Sequence, residues 1–318
     1  MNSLGRSSVL PLRSLSRSIR SFSTSPSFSI QKITIYGAGL MGAGITQVAA
    51  QNGLNVTMVD VSDEAVQKGK KIIDASLTRV AKRIHKDDEK KRTEFVENAW
   101  KNISTSTDSS AAAVDADLLV EAIVEKMDVK QKLFSQLDKI AKKSAIFASN
   151  TSSLTISEIA KATSREENFA GLHFFNPVPQ MKLVEVIRTD KTSNDTYEKL
   201  MDVTKKMQKT PVTCKDTPGF IVNRLLVPYI LESIRLVERG EATHEDVDTA
   251  MKLGAGMPMG PFELADFVGL YTLKFIADGW RQGGKIDAHL VAPIKTLDDL
   301  VARNHLGRKT GKGFYSYS

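Results

Sequence analysis

The sequence predicts an α/β fold, a Rossmann-type doubly wound sheet, followed by an all-helical C-terminal domain. Three observations carry the prediction. Residues 33–60 read as strand, glycine turn, helix and a second strand ending in an acid; apolar β-rich runs then alternate with amphipathic helical spacing to about residue 216; and β-rich runs cease from Phe220 onward. A chain of 318 residues is long enough for more than one core. We divide it into a leader at 1–30, a sheet unit at 31–216 and a helical unit at 217–318.

The leader holds Arg6, Arg13, Arg17 and Arg20, is rich in serine and precedes any acid, the first of which is Asp60. That is the composition of a mitochondrial transit peptide, which places the mature protein in the matrix and removes the segment from the fold. Setting its four arginines aside brings the formal charge of +7 to about +3. A mildly basic globule makes no case for nucleic acid and suits a small anionic substrate. No stretch approaches the roughly 20 apolar residues of a membrane helix, so no membrane insertion is expected. Cys214 is the single cysteine, which excludes an intrachain disulfide.

Ile33-Thr34-Ile35-Tyr36 opens the sheet, and Gly37-Ala38-Gly39-Leu40-Met41-Gly42 follows. In such a turn the first glycine allows the sharp bend, the second lets backbone N–H groups approach a pyrophosphate, and the third brings helix and sheet together. A helix over Met41–Gln51, stopped by Asn52-Gly53, would turn its unpaired N–H groups and the positive end of its dipole toward the diphosphate. Asp60 stands 18 residues beyond Gly42, where a carboxylate accepts both ribose hydroxyls. It repels a 2′-phosphate and Val61 offers no charge to attract one, so NAD is expected rather than NADP.

Helical spacing runs from Ser62 to about Trp100, with Val66, Ile72, Ile73, Leu77, Val80 and Ile84 on one face. The other face is dense in Lys and Arg. It is either a plain solvated face or an electropositive rim for a second phosphorylated ligand, with Ser76 and Arg83 sharing one side. Ala116 to Val124 has the apolar run of a strand buried on both faces. Glu125 follows at its carboxyl end, where open α/β sheets bind ligands, so Glu125 and Lys130 are placed to meet the cofactor.

A helix over Val129–Lys143 and a strand over Ala145–Ser149 lead to Ser149-Asn150-Thr151-Ser152-Ser153, ahead of a helix near Ile156–Lys161. Two readings stay open here. The hydroxyls cap that helix, or Asn150 and Ser152 donate hydrogen bonds to nicotinamide, ribose or substrate. Phe169 to Pro179 and Met181 to Ile187 are β-rich runs joined by a proline-stiffened turn, which lets His173 and Glu185 approach across neighbouring strands. Read singly, each is an ordinary strand residue; read as a pair, they are a base and its orienting carboxylate.

A helix over Asn194–Gln208 and a short strand at Pro211–Cys214 complete the sheet, and Asp216-Thr217-Pro218-Gly219 marks the boundary. From Phe220 to Val237 the chain is apolar nearly all round, as in a helix buried among others or at a subunit interface. Pro228 predicts a bend or a break there. Asn223 needs a partner, either substrate or neighbouring backbone. A turn at Gly254 to Pro261 precedes helices through Phe262–Trp280 and Thr296–Asn304. The basic, glycine-rich tail from Lys309 to Tyr315 either covers the cofactor cleft or frays.

Taken together, the 37–42 turn, Ser149-Asn150-Thr151-Ser152-Ser153, Gly171-Leu172-His173-Phe174-Phe175-Asn176-Pro177, Glu185, the Asp216 to Arg224 segment and the Gly254 to Gly260 turn resemble the mitochondrial short-chain L-3-hydroxyacyl-CoA dehydrogenases. The likeness runs from about Gln31 to Tyr317. It implies NAD-dependent oxidation of L-3-hydroxyacyl-CoA to 3-ketoacyl-CoA in fatty acid β-oxidation, by a homodimer formed through the helical domain.

By motif position, the resemblance makes His173 the general base and Glu185 its partner, with Ser152, Asn176 and Asn223 around the reacting oxygen or thioester. Gly37 through Gly42, Asp60, Glu125, Lys130, Asn150, Ser152 and Lys309 would meet NAD; Ser76, Arg83 and Ser152 would meet coenzyme A. Lysine often stands where this chain has Arg83, and either binds phosphate. No His/Cys cluster suggests a metal, and the chemistry requires none. Two other readings are weaker. A dinucleotide-binding protein without turnover has no use for His173 and Glu185, and an NADP-dependent β-hydroxyacid dehydrogenase would want a basic residue after the second strand, against which Asp60 argues, and a catalytic lysine in the helical domain.

Overall fold

The computed structural model describes residues 29–317, so nearly all of the expected leader lies outside the described residues. Eight strands form one sheet: β1 (Lys32–Tyr36), β2 (Asn55–Val59), β3 (Ile103–Ser106), β4 (Leu118–Glu121), β5 (Ile146–Ser149), β6 (Phe169–Phe174), β7 (Leu183–Arg188) and β8 (Thr210–Lys215). Their spatial order is β3-β2-β1-β4-β5-β6-β7-β8, parallel throughout except between β6 and β7. The order reverses between β1 and β4, which opens a crevice at their carboxyl ends.

Alternation of side chains along these strands separates two apolar layers. Ile33, Ile35, Val56, Leu118 and Val120 pack against α1 (Leu40–Ala50) and α6 (Asn194–Lys206); Tyr36, Val59, Leu119 and Phe147 pack against α4 (Met127–Asp138) and α5 (Ile156–Ala160). The predicted doubly wound architecture follows from this two-sided covering.

The helical run expected over 62–100 is two helices, α2 (Asp63–Ile84) and α3 (Glu89–Lys101). The break comes from Asp88, whose side chain accepts from Lys91 N at 2.9 Å and starts a second helix. The run expected to Val124 leaves the ladder after Glu121, and its last residues form a wall of the crevice.

The helical unit contains α7 (Val222–Glu238), α8 (His244–Gly254), α9 (Pro261–Val268), α10 (Leu270–Gly283) and α11 (Lys295–Ala302). Pro228 does not break α7. Burial of Val227, Ile230, Leu231 and Ile234 against Phe262, Leu273 and Trp280 outweighs the one backbone hydrogen bond the proline removes. Nor is α7 buried all round, since Leu225 is 69 % exposed.

The tail does not fray. Asp266 accepts from Phe314 N at 3.0 Å, Tyr315 N at 2.9 Å and the Tyr317 hydroxyl at 2.9 Å, and Asp248 accepts from the Tyr315 hydroxyl at 2.8 Å. Among the described residues no helix is long and apolar enough to cross a membrane.

Candidate active site

The glycine turn has the backbone that its sequence requires. Gly37 sits at φ +107°, and a Cβ there would lie 2.5 Å from the Ala122 carbonyl oxygen; one on Gly42 would lie 1.8 Å from that of Gly37. A Cβ on Gly39 would meet nothing within 4 Å, so open space stands before the amino end of α1, which has no side-chain cap. Unpaired N–H groups facing such a space form a seat for an anion. Asp60 is anchored beside it: Oδ2 accepts from Ala38 N at 2.7 Å and Oδ1 from Val61 N at 2.7 Å.

Two chambers flank this turn and meet at Ile123. One, of about 260 Å³, lies among Gly37, Asp60, Val61, Thr107 and Leu133. The other, of about 330 Å³, is lined by Met41, Glu125, Lys130, Asn150, Ser152, His173, Phe174, Phe175, Asn176 and Asn223. An acid for ribose, an open anion seat and a chamber on each side fit the two halves of a dinucleotide.

The antiparallel pairing of β6 and β7 sets His173 directly opposite Glu185. His173 Nδ1 lies 2.7 Å from Glu185 Oε2, and both side chains are buried. Glu185 Oε1 accepts from Ile221 N at 3.0 Å and Val222 N at 2.9 Å, at the amino end of α7. Burial pushes the Glu185 carboxyl up, but hydrogen bonds from His173, Val222 N and Ile221 N outweigh it and hold the group below its ordinary value. An acceptor-only carboxylate assigns the proton to Nδ1 and leaves the Nε2 lone pair free. Phe175 and Phe220 flank the imidazole at ring-centroid distances of 4.5 Å and 5.6 Å.

Sequence reasoning missed Glu121, which is fully buried at the tip of β4. Its Oε1 accepts from Lys130 Nζ at 2.5 Å and Ile123 N at 2.8 Å, and its Oε2 from Ser149 Oγ at 2.6 Å. The signal was an acid closing an otherwise apolar strand. Lys130 lines the chamber wall, yet its side chain is 1 % exposed and its ammonium is committed to Glu121 and, at 3.0 Å, to Glu125. Burial pushes the Glu125 carboxyl up, but the Lys130 charge and hydrogen bonds from Thr151, Lys130 and Ser152 hold it below the ordinary range.

The 149–153 cluster divides its work. Thr151 Oγ1 donates to Glu125 and accepts from Leu154 N at 2.9 Å, while the amino end of α5 is capped from the linker, by Asp216 accepting from Ile156 N and Ser157 N at 2.8 Å each. Asn150 Oδ1 accepts from Phe174 N at 2.8 Å, which leaves its amide NH₂ for the chamber. Asn223 Nδ2 reaches the Ser152 carbonyl oxygen at 3.4 Å across the two units.

Sequence reasoning also missed Lys209. Its buried Nζ donates to the Val178 carbonyl and, at 2.9 Å, to that of Met181, which fixes the turn after Asn176. Burial pulls its pKa down to about 8. The structure therefore brings His173, Glu185, Glu125, Lys130, Asn150, Ser152, Asn176 and Asn223 together. Ser76 and Arg83 on α2, and Lys309 in the tail, are not among the residues lining either chamber.

Two family models cover these units: the 3-hydroxyacyl-CoA dehydrogenase NAD binding domain matches residues 32–217, and the 3-hydroxyacyl-CoA dehydrogenase C-terminal domain matches residues 219–317. The mitochondrial hydroxyacyl-coenzyme A dehydrogenase of Homo sapiens is 55% identical over 308 residues, 96% of this chain and 97% of that one. A probable 3-hydroxybutyryl-CoA dehydrogenase of Bacillus subtilis is 44% identical over 289 residues, 91% of this chain and 98% of that one. Among solved structures, (S)-3-hydroxybutyryl-CoA dehydrogenase from Ralstonia eutropha superposes with a TM-score of 0.85 at 42% identity, covering 91% of this chain and 100% of that one.

Proposed function

Because the chain belongs to the 3-hydroxyacyl-CoA dehydrogenase family and is an NAD-dependent dehydrogenase, we propose that it oxidises the L-3-hydroxyl of acyl-CoA thioesters, with His173 as general base. The observation that carries this reading is the His173–Glu185 pair, 2.7 Å apart, at the wall of the chamber beside the glycine turn.

Bound NAD would supply the hydride acceptor for the substrate's 3-carbon. Residues 37–42 would seat its diphosphate, Asp60 would hold its ribose hydroxyls, and Glu125, Lys130, Asn150 and Ser152 would wall its nicotinamide end. As the hydroxyl becomes acidic, His173 Nε2 takes its proton, because histidine is the side chain suited to that exchange near neutral pH. The imidazolium keeps its other proton on Nδ1 against Glu185, which stabilises the charge. Such a base contributes about 10²–10⁴-fold to the rate. Ser152, Asn176 and Asn223 surround the reacting oxygen and thioester as hydrogen-bond donors.

Ser76 and Arg83, on one side of α2, would hold the phosphates of coenzyme A, and Lys309 would reach NAD on closure of the two units. The unit boundary falls at 216–217, with the cofactor-binding unit before it and the substrate and dimerisation unit after it, while Ser76, Arg83 and the His173 pair on the first unit and Lys309 on the second serve the ligand of the other. Exposed Leu225, Phe267, Tyr271 and Phe275 on the helical unit support a homodimer. The mitochondrial names of the relatives support a mitochondrial location, for which we propose the matrix and fatty acid β-oxidation.

The test is NADH formation from L-3-hydroxybutyryl-CoA, beside the free acid and NADP, with His173→Ala as control. Turnover of the free acid alone, or full activity in His173→Ala, would discard the reading.

A further inference from the structure

Three ionic groups meet where β4 and β5 end beneath the larger chamber. The Glu121 and Lys130 side chains are 0% and 1% exposed, and Lys130 Nζ lies 2.5 Å from Glu121 Oε1 and 3.0 Å from Glu125 Oε2. Every other contact of the two carboxylates is with a donor: Ile123 N and Ser149 Oγ at Glu121, and Thr151 Oγ1, Ser152 N and Ser153 Oγ at Glu125. Ile123 N and Ser152 N can only donate, and Ser149 Oγ and Thr151 Oγ1 already accept from Thr151 N and Leu154 N, so their own protons are turned toward the two glutamates. Among the described residues neither carboxylate has a second cation within ion-pair distance. Two anions thus share one ammonium, and the cluster keeps one uncompensated negative charge.

Uncompensated charge away from water disfavours the folded protein unless something offsets it. The adjoining chamber, walled by Glu125 and Lys130, is where the proposed reading puts the nicotinamide ring. That ring is a cation when oxidised and neutral when reduced. We propose that the surplus charge of the Glu121–Lys130–Glu125 cluster sets the cleft's preference between the two cofactor states, favouring oxidised NAD over NADH, with Glu121 as the group that supplies it. Lys130 is the spacer: its ammonium stands between Glu121 and Glu125, 2.5 Å from one and 3.0 Å from the other. The inference rests on the proposed placement of the ring, and concerns its charge rather than its chemistry.

Calorimetric Kd values for oxidised NAD and for NADH, measured on the full-length protein, test it. Glu121→Gln keeps the shape and removes the charge. It should weaken oxidised NAD about tenfold while leaving NADH within about twofold, as expected for a unit charge acting across a poorly screened wall. Ser149→Ala disturbs the same network without changing charge and should keep the wild-type ratio. Equal weakening of both forms in Glu121→Gln, or an unchanged ratio, overturns the proposal. Should that variant fail to fold, Glu125→Gln, whose side chain is 31% exposed, removes the same charge and must move the ratio the same way; an unmoved ratio there also overturns it. If the unaltered protein bound neither form, the placement of the cofactor would fall as well, whereas binding of both with an unshifted ratio defeats this inference alone.

Discussion

Glu185 faces His173 across the β6–β7 ladder and spends one carboxylate oxygen on the imidazole and the other on the first N–H groups of α7. One buried group thus orients the proposed base and joins the sheet to the helical unit. Its loss should be felt in both rate and stability.

For the base itself, His173→Ala should lower kcat by about 10²–10⁴-fold and leave the Kd for NAD within about twofold. Steady-state kinetics with L-3-hydroxybutyryl-CoA, beside calorimetry with NAD, would check both halves.

Glu185→Gln should lower kcat and flatten the acid limb of the stability curve. The carboxyl is held below its ordinary value of 4.5 in the folded protein, so its stabilisation is complete above that pH and is lost as pH falls through the depressed folded value. Urea midpoints of the wild type should drop more steeply below pH 4.5 than those of the variant.

Two glycines of the same turn should respond oppositely. Gly42→Ala drives its Cβ into the Gly37 carbonyl and should lower Tm by roughly 5–10 °C. Gly39→Ala fills open space, so Tm should hold while the KM for NAD rises at least about tenfold, through loss of the anion seat.

Asp60→Ala removes the ribose acceptor and should raise the KM for NAD about 10–100-fold. Adding Val61→Arg, at a position 94% exposed, supplies a cation for a 2′-phosphate and should reverse the preference toward NADP. The ratio of kcat/KM for the two cofactors is the readout.

Lys209→Met orphans the Val178 and Met181 carbonyls and should cost about 1–3 kcal/mol. Because burial lowers the lysine to about 8 from 10.5, the unfolded chain binds more protons between those values and the wild type gains stability as pH rises through that window. The wild-type advantage over Lys209→Met, measured by urea denaturation, should therefore widen from pH 8 to pH 10.5.

The parts legible in the sequence were those that need special backbone or a short turn between two β-rich runs. The 37–42 turn demands glycine at fixed places, and Asp60 follows at the end of the next strand; two β-rich runs joined by a proline-stiffened turn brought His173 and Glu185 onto neighbouring strands. Elements made by tertiary context were not legible. β3, Ile-Ser-Thr-Ser, is short and polar and becomes a strand by pairing with β2 at the sheet edge. The one fully buried residue of α8 is Asp248, the reverse of an apolar stripe, so helical periodicity gave no signal. Lys209 is buried by a turn some thirty residues earlier, a contact local sequence does not contain. Glu121 vanished into an apolar run because its partner Lys130 comes from the next helix.

Glu185 grips α7 through main-chain N–H groups of Ile221 and Val222, not through their side chains. The joint is therefore indifferent to which residues follow it, provided the backbone bends alike. Helical units transplanted from relatives with other acyl tastes should arrive with the imidazole already aimed, making this junction a natural splice point for chimaeras.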